Sequence, residues 1–277
     1  MATEEATGGA ADGAIDGATD KDARRDHAEV TARLRKAGCV FAEDEADLIL
    51  SAASTPGELD AMITRRADGE PLEHVVGFAE FHGLRISVDR GVFVPRRRTE
   101  ALIREAAALA RPGAVAVDLC CGSGALGAAL AASVHGLELH AADVDPAAVA
   151  CARRNVPGGR VHEGDLFDAL PGSLRGRIGV LLANVPYVPS GEIGLLPAEA
   201  RDHEAHVALD GGGDGLEVMR RVTADAAAWL SPGGHLLCET SERQAEAALA
   251  AFAGGGLEPR IATDEDWNAT IVIGRRP

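Results

Sequence analysis

Aromatic residues are scarce in this chain. Phe, Trp and Tyr together make up 3% of its 277 residues, and there is a single Tyr. The interior must therefore be built mainly from Ala, Val, Leu and Ile, and stacking platforms for nucleic acid bases are few. Basic charge is short as well: 27 Lys and Arg stand against 43 Asp and Glu, a formal net charge of -16. Such a field repels polyanions, because neutralisation of phosphates by Lys and Arg dominates affinity for nucleic acid. No nucleic acid partner is expected. Paired cysteines are missing: Cys39, Cys120, Cys121, Cys151 and Cys238 are scattered, odd in number and without Cys-x-x-Cys spacing. That excludes a disulfide or zinc framework and fits a reducing compartment. Also absent are a run of ~18 apolar residues long enough to cross a membrane and a basic-then-apolar leader. These absences together predict a soluble, cytoplasmic protein without a membrane partner.

What is present divides along the chain. Residues 1–25 are rich in Ala, Gly, Asp and Glu and hold too little apolar surface to offset the entropy of ordering, so they are expected to form a disordered acidic tail. From 26 to 75 the apolar residues recur at helical spacing, with a break at Ser54 to Gly57, and predict a small helical domain. Over 76–100, Leu84, Ile86 and Val88 alternate, Gly91 follows as a turn, and a short apolar run ends at Pro95; this predicts a β-hairpin linker. From 101 to 277, apolar strands alternate with helices. The strands are expected at Val115 to Cys120, Leu137 to Ala142, Val161 to Gly164, Ile178 to Ala183, His235 to Glu239 and Ala269 to Ile273. Such β-α-β alternation predicts an α/β fold with a Rossmann-like, mostly parallel, doubly wound sheet.

The segment VDLCCGSGALG runs from a strand carrying Asp118 near its end into Gly122, Gly124 and Gly127 at the start of a helix. Glycines at this junction allow a tight turn and close approach of a ligand to the backbone. Alone, the pattern suits a dinucleotide as well as S-adenosylmethionine. Asp143 closes the next strand about twenty residues on, where a carboxylate can accept hydrogen bonds from both ribose hydroxyls. Asp145, followed by Pro146, is read as a helix N-cap. Asp165, after the third strand, is a candidate for an adenine amino group.

Asn184, Val185, Pro186 and Tyr187 follow directly on the buried strand 178–183, where ligands of such sheets sit. Methylating an amide or aromatic amine requires the nitrogen to be held by its two hydrogens while its lone pair faces the methyl donor. The Asn184 side-chain oxygen and the Val185 carbonyl are two acceptors for those hydrogens. Val185 precedes proline, which restricts its backbone, and Tyr187 offers a ring face for stacking. No strong general base is needed, because the nitrogen becomes acidic once it has attacked carbon; positioning and charge matching would carry catalysis.

With these residues in hand, the chain resembles the HemK/PrmC family of protein-(glutamine-N5) methyltransferases from about Gly77 onward. Pro95, Arg96, Thr99 and Glu100 are similar to the family's Pro-Arg-x-x-Thr-Glu linker motif. VDLCCGSGALG and AADVDP resemble its cofactor motifs, Asn184 to Tyr187 its Asn-Pro-Pro-Tyr acceptor motif, and LSPGGHLLCET a later strand. The resemblance implies a class I methyltransferase. Gly122, Gly124, Asp143, Asp118, Asp165, Thr99 and Asn184 would hold S-adenosylmethionine, released as S-adenosylhomocysteine, and Asn184, Val185, Pro186 and Tyr187 would act on the acceptor. The implied partner is a peptide-chain release factor, methylated on the glutamine of its Gly-Gly-Gln motif. Val185 stands where the family has its first proline, and Arg97 and Arg98 where it has Pro-Asp. Amino-group methylation of a nucleic acid base or a small molecule, nicotinamide-dependent oxidoreduction and a non-enzymatic binding protein on the same fold are the rival readings; base methylation conflicts with the acidic charge, and oxidoreduction leaves Asn184 to Tyr187 unexplained.

Other features read as plain. His203 and His206 lie among acidic residues in no common ligand spacing, so no metal site is expected. DGGGDG (Asp210 to Gly215) reads as a turn before a helix, Arg96 to Arg98 as a basic loop that is solvated or attracts an acidic partner, and Glu239 as lining the cleft or facing water. Cys120 and Cys121 lack a neighbouring base that would make either a nucleophile.

Overall fold

The computed structural model describes residues 26–156 and 158–277; the tail expected over 1–25 lies outside the described residues. The chain forms two compact units, one ending at Val76 and the other beginning at Gly77.

In the first unit, helix α1 (26–37) is followed by α2 (Ala42–Ala52), α3 (Pro56–Ala67) and the short α4 (Leu72–Val76). The break expected at Ser54 to Gly57 is the start of α3: Thr55 accepts from Glu58 N through Oγ1, and Pro56 takes the first helical position, where its missing N–H costs nothing. Val30, Leu34, Ala46, Ile49 and Ile63 make a small apolar core. A buried ion pair lies beside it, with Arg66 donating from Nε to Glu45 Oε2 at 2.6 Å and from Nη2 to Oε1 at 3.0 Å.

The second unit opens with a hairpin of β1 (Phe78–Phe81) and β2 (Leu84–Ser87). Its turn is His82–Gly83, both at positive φ, as a two-residue hairpin turn demands. The hairpin therefore closes before Leu84 and not at Gly91, as the alternation had led us to expect. Gly91 instead forms a parallel bridge to Glu204. Ile86, Val88, Val92 and Val94 are buried in the core of this unit.

Strands and helices then alternate: α5 (Glu100–Leu109), β3 (Val115–Leu119), α6 (Ala125–Ser133), β4 (Glu138–Asp143), α7 (Pro146–Asn155), β5 (Arg160–Glu163), β6 (Ile178–Ala183), α8 (Ala198–His203), α9 (Glu217–Trp229), β7 (Leu230–Thr240), α10 (Ala245–Gly254), β8 (Glu258–Asp264) and β9 (Ala269–Arg275). One seven-stranded sheet has the order β5-β4-β3-β6-β7-β9-β8. The first five strands are parallel, and β9 runs antiparallel to β7 and β8. Every residue of β3 is buried, as befits a central strand covered on both faces. Alternate residues of β3 and β6 face opposite layers. Ala116, Val180 and Leu182 pack with α5 and α6, while Val117, Leu119 and Leu181 pack with Met219, Val222 and Trp229 of α9.

β8 was not anticipated from sequence. None of its residues is fully buried, so it carries no apolar alternation to read. Its place at the sheet edge accounts for this.

Candidate active site

The chain reverses direction across the sheet between β3 and β6: β4 and β5 lie to one side, β7 to the other. The crevice beyond the carboxyl ends of strands at such a reversal is the natural ligand site of an open α/β sheet. A cavity of 440 Å³ opens there, lined by Phe93, Arg98, Thr99, Gly122, Asp143, Asp165 and all four residues Asn184 to Tyr187, among others.

One half of the cavity is built from the β3 and β4 ends. Cys120, Gly122 and Gly124 take positive φ and fold the chain sharply into α6. Gly122 N donates to Asp143 Oδ2 at 2.8 Å and Asp145 N to Oδ1 at 2.9 Å, so the Asp143 carboxylate is fixed at both oxygens. Burial raises its pKa, opposed by these backbone donors. Asp145 caps α7 through Ala147 N. Asp165 lines the cavity while its Oδ2 accepts from Arg221 Nη2 at 2.6 Å. The Cys120 thiol is pushed up by burial and then by the Asp143 and Asp118 carboxylates, which leaves no thiolate for nucleophilic chemistry.

Two residues expected to touch a cofactor do not line the cavity. A Cβ on Gly124 would lie 2.9 Å from Val156 Cγ2 and 3.1 Å from Ala152 Cβ; this glycine lets α6 approach α7. Asp118 is buried behind the loop, where its Oδ2 accepts from Gly127 N at 2.8 Å. Burial pushes its pKa up to about 8. Both residues shape the loop from behind.

The other half follows β6. Asn184 Oδ1 is buried and has no hydrogen-bond partner among the described residues. A buried acceptor left open is costly, and this one belongs to a residue on the cavity wall. Val185 is buried. Tyr187 donates its hydroxyl to Glu239 Oε1 at 3.2 Å and accepts from Arg98 Nη2. Thr99, expected at the cofactor, lines the cavity, but its hydroxyl is committed to Glu239 Oε2 at 2.6 Å.

Sequence reasoning missed much of what holds this second half. Asp210 to Gly215 braces the loop after β6 from behind. Val188 N donates to Leu209 O at 3.1 Å, and Gly211 N to Val188 O at 2.9 Å. A Cβ on Gly211 would come within 2.7 Å of Pro186 O, and one on Gly215 within 2.3 Å of Tyr187 O. Gln244 Nε2 donates to Tyr187 O at 2.9 Å. Arg96 is no solvated loop residue either: its Nη2 donates to both oxygens of buried Glu204, at 2.6 and 2.7 Å. The glycine spacing of DGGGDG was a readable sign of close backbone approach. The arginine contacts had no local signal.

Known proteins agree with this geometry. The "Methyltransferase small domain" family model matches residues 84–214. A release factor glutamine methyltransferase of Geobacter sulfurreducens is 37% identical over 228 residues, 80% of this chain and 79% of that protein. A 4-amino-L-phenylalanine/4-methylamino-L-phenylalanine methyltransferase of Streptomyces pristinaespiralis is 36% identical over 253 residues, 82% of this chain and 86% of that protein. A solved methyltransferase from Pyrococcus furiosus, 18% identical, shares the fold with a TM-score of 0.54 over 70% of this chain and 89% of its own. The sheet order, the glycine turn and the Asn-x-Pro-Tyr loop at the reversal point define a methyltransferase. Within that class, the chain belongs to the release factor glutamine methyltransferase family.

Proposed function

We propose that the protein transfers the methyl group of S-adenosylmethionine to the side-chain amide nitrogen (N5) of a glutamine in a peptide-chain release factor. The observation that carries this reading is the open Asn184 Oδ1, an unsatisfied acceptor on the wall of a cavity that also holds Asp143 and Gly122. The donor set fits the cofactor. Asp143 takes the ribose hydroxyls, Asp165 the adenine amino group, and the turn at Gly122 leaves the backbone open to approach, with no atom nearer than 4.0 Å to a Cβ built there. When bound, S-adenosylmethionine supplies an electrophilic methyl on a sulfonium.

This chain's residues do the rest by orientation. Asn184 Oδ1 and the Val185 carbonyl accept the two amide hydrogens, which aims the lone pair and discourages rotation of the amide. The Tyr187 ring packs on the amide plane. No side chain need take a proton before attack, and placement supplies the rate enhancement. Among the described residues no helix is long and apolar enough to cross a membrane; the same reading puts the enzyme in the cytoplasm with its substrate.

The test is transfer of labelled methyl to a purified release factor and to a variant with Gln→Ala in its Gly-Gly-Gln motif, with 4-amino-L-phenylalanine as a competing acceptor. The proposal expects label on the first protein only. Label on the amino acid and none on the release factor would replace the proposed substrate with a small aromatic amine.

A further inference from the structure

Arg98 lines the cavity and turns into the site. Its Nε donates to Glu239 Oε1 at 2.7 Å, its Nη2 donates to the Tyr187 hydroxyl, and its guanidinium carbon lies 6.0 Å from the Tyr187 ring centroid. Glu239 lies in the buried stretch at the end of β7 with its side chain 3% exposed. A carboxylate so buried needs several partners, and it has three: Arg98, Thr99 and Tyr187. An aspartate at position 98 would instead set a second carboxylate beside it.

The consequence falls on Tyr187. A phenol donates one hydrogen bond and accepts through its oxygen; here it donates to Glu239 and accepts from Arg98. Burial, with the Glu239 carboxylate second, pushes the phenol up to about 12 against the opposing pull of Arg98, so it keeps its proton for Glu239. We propose that Arg98 is a positioning residue for methyl transfer: with Glu239 it ties the Tyr187 hydroxyl, so that the tyrosine presents its ring face and not its hydroxyl to the acceptor. This rests on reading Asn184 to Tyr187 as the acceptor loop.

Two measurements test it. In the first, kcat for release factor methylation is compared across Arg98→Ala, Tyr187→Phe and the double variant, with cofactor affinity measured alongside. Each single change is expected to lower kcat about tenfold without altering cofactor affinity, and the double variant to be no worse than either. Multiplying effects, or an Arg98→Ala variant with unchanged kcat, would overturn the proposal. Arg98→Lys is expected to recover only part of the loss, because a point charge cannot serve both partners with a fixed fork.

The second measurement needs no acceptor, and so separates failure of this inference from failure of the proposed substrate. Tyr187 is the only tyrosine in the chain, so ultraviolet tyrosinate absorbance reports it alone. Wild type is expected to show none up to the pH at which circular dichroism detects unfolding, and Glu239→Gln to show it at lower pH while still folded. If Glu239→Gln does not fold, the wild-type titration alone decides. Tyrosinate appearing early in folded wild type would show that the phenol is not tied.

Discussion

The two halves of the cavity are held in different ways. At the end proposed for the cofactor the carboxylate is anchored by backbone from its own neighbourhood: Asp143 bonds to Gly122 N, 21 residues away, and to Asp145 N, two residues away. At the end proposed for the acceptor the Tyr187 ring is anchored by side chains from far along the chain. Tyr187 meets Glu239 at a separation of 52 residues and Arg98 at 89, and Glu239 reaches Thr99 at 140. A local, backbone-held half forms whenever its own strand-turn-helix unit forms. The distant, side-chain-held half is complete only when β7, the linker and the loop after β6 have all come together, and it can be changed one residue at a time.

Substitutions should separate the halves. Asn184→Ala removes the open acceptor and is expected to lower kcat on the order of 10³-fold while leaving the cofactor dissociation constant unchanged; parallel turnover and equilibrium binding measurements decide it, and joint loss would erase the division. Gly215→Ala, at φ 79° with its Cβ 2.3 Å from Tyr187 O, displaces the loop and is expected to cost about 10²-fold in kcat/KM, again without touching cofactor affinity. Gly213→Ala is the control, because its Cβ would meet only Glu217 Oε1, at 3.6 Å. Conversely, Asp143→Ala is expected to weaken cofactor binding roughly tenfold to 10²-fold, with kcat near normal at saturating cofactor, measured by calorimetry and steady-state rates.

The smallest effect concerns stability. Asp118 has a folded pKa of about 8 against an ordinary 3.8, so the folded state keeps a proton that the unfolded chain gives up. Its contribution to stability is therefore full below the unfolded value and is lost as pH rises from about 4 to 8. Denaturant unfolding at pH 5 and pH 8 should show a loss of stability in wild type that shrinks in Asp118→Asn, with cofactor affinity unmoved. A variant that lost cofactor binding would bring Asp118 back into the site.

The same contrast explains what could be read before folding. The central parallel strands β3 and β6 were legible because each is a short apolar run, and Asp145-Pro146 announced the start of α7 by local chemistry. Asn184 to Tyr187 and Asp143 could be placed at the cavity because the first follow directly on β6 and the second ends β4. β8 was not, because an exposed edge strand has no apolar face to display. The hairpin was misplaced because Leu84, Ile86 and Val88 alternate without naming their partner strand, and the left-handed pair His82–Gly83 settles the matter only in three dimensions. Gly124 and Asp118 were assigned to the ligand because spacing fixes a loop and not which side of it a residue faces. Arg98 and Glu239 are 141 residues apart, and no pattern in either neighbourhood links them.

The brace behind the acceptor loop grips main chain. Leu209 O takes Val188 N, Gly211 N reaches Val188 O, and Gln244 Nε2 reaches Tyr187 O. Such tethers are blind to the identity of the side chains they hold in place. A ring-locked residue at position 185 would duplicate stiffness that the brace already provides, and this chain has a valine there instead. The loop thus works as a socket for exchangeable parts. Its contour belongs to the scaffold, and a change of side chain at position 187 or 188 leaves the mount in place.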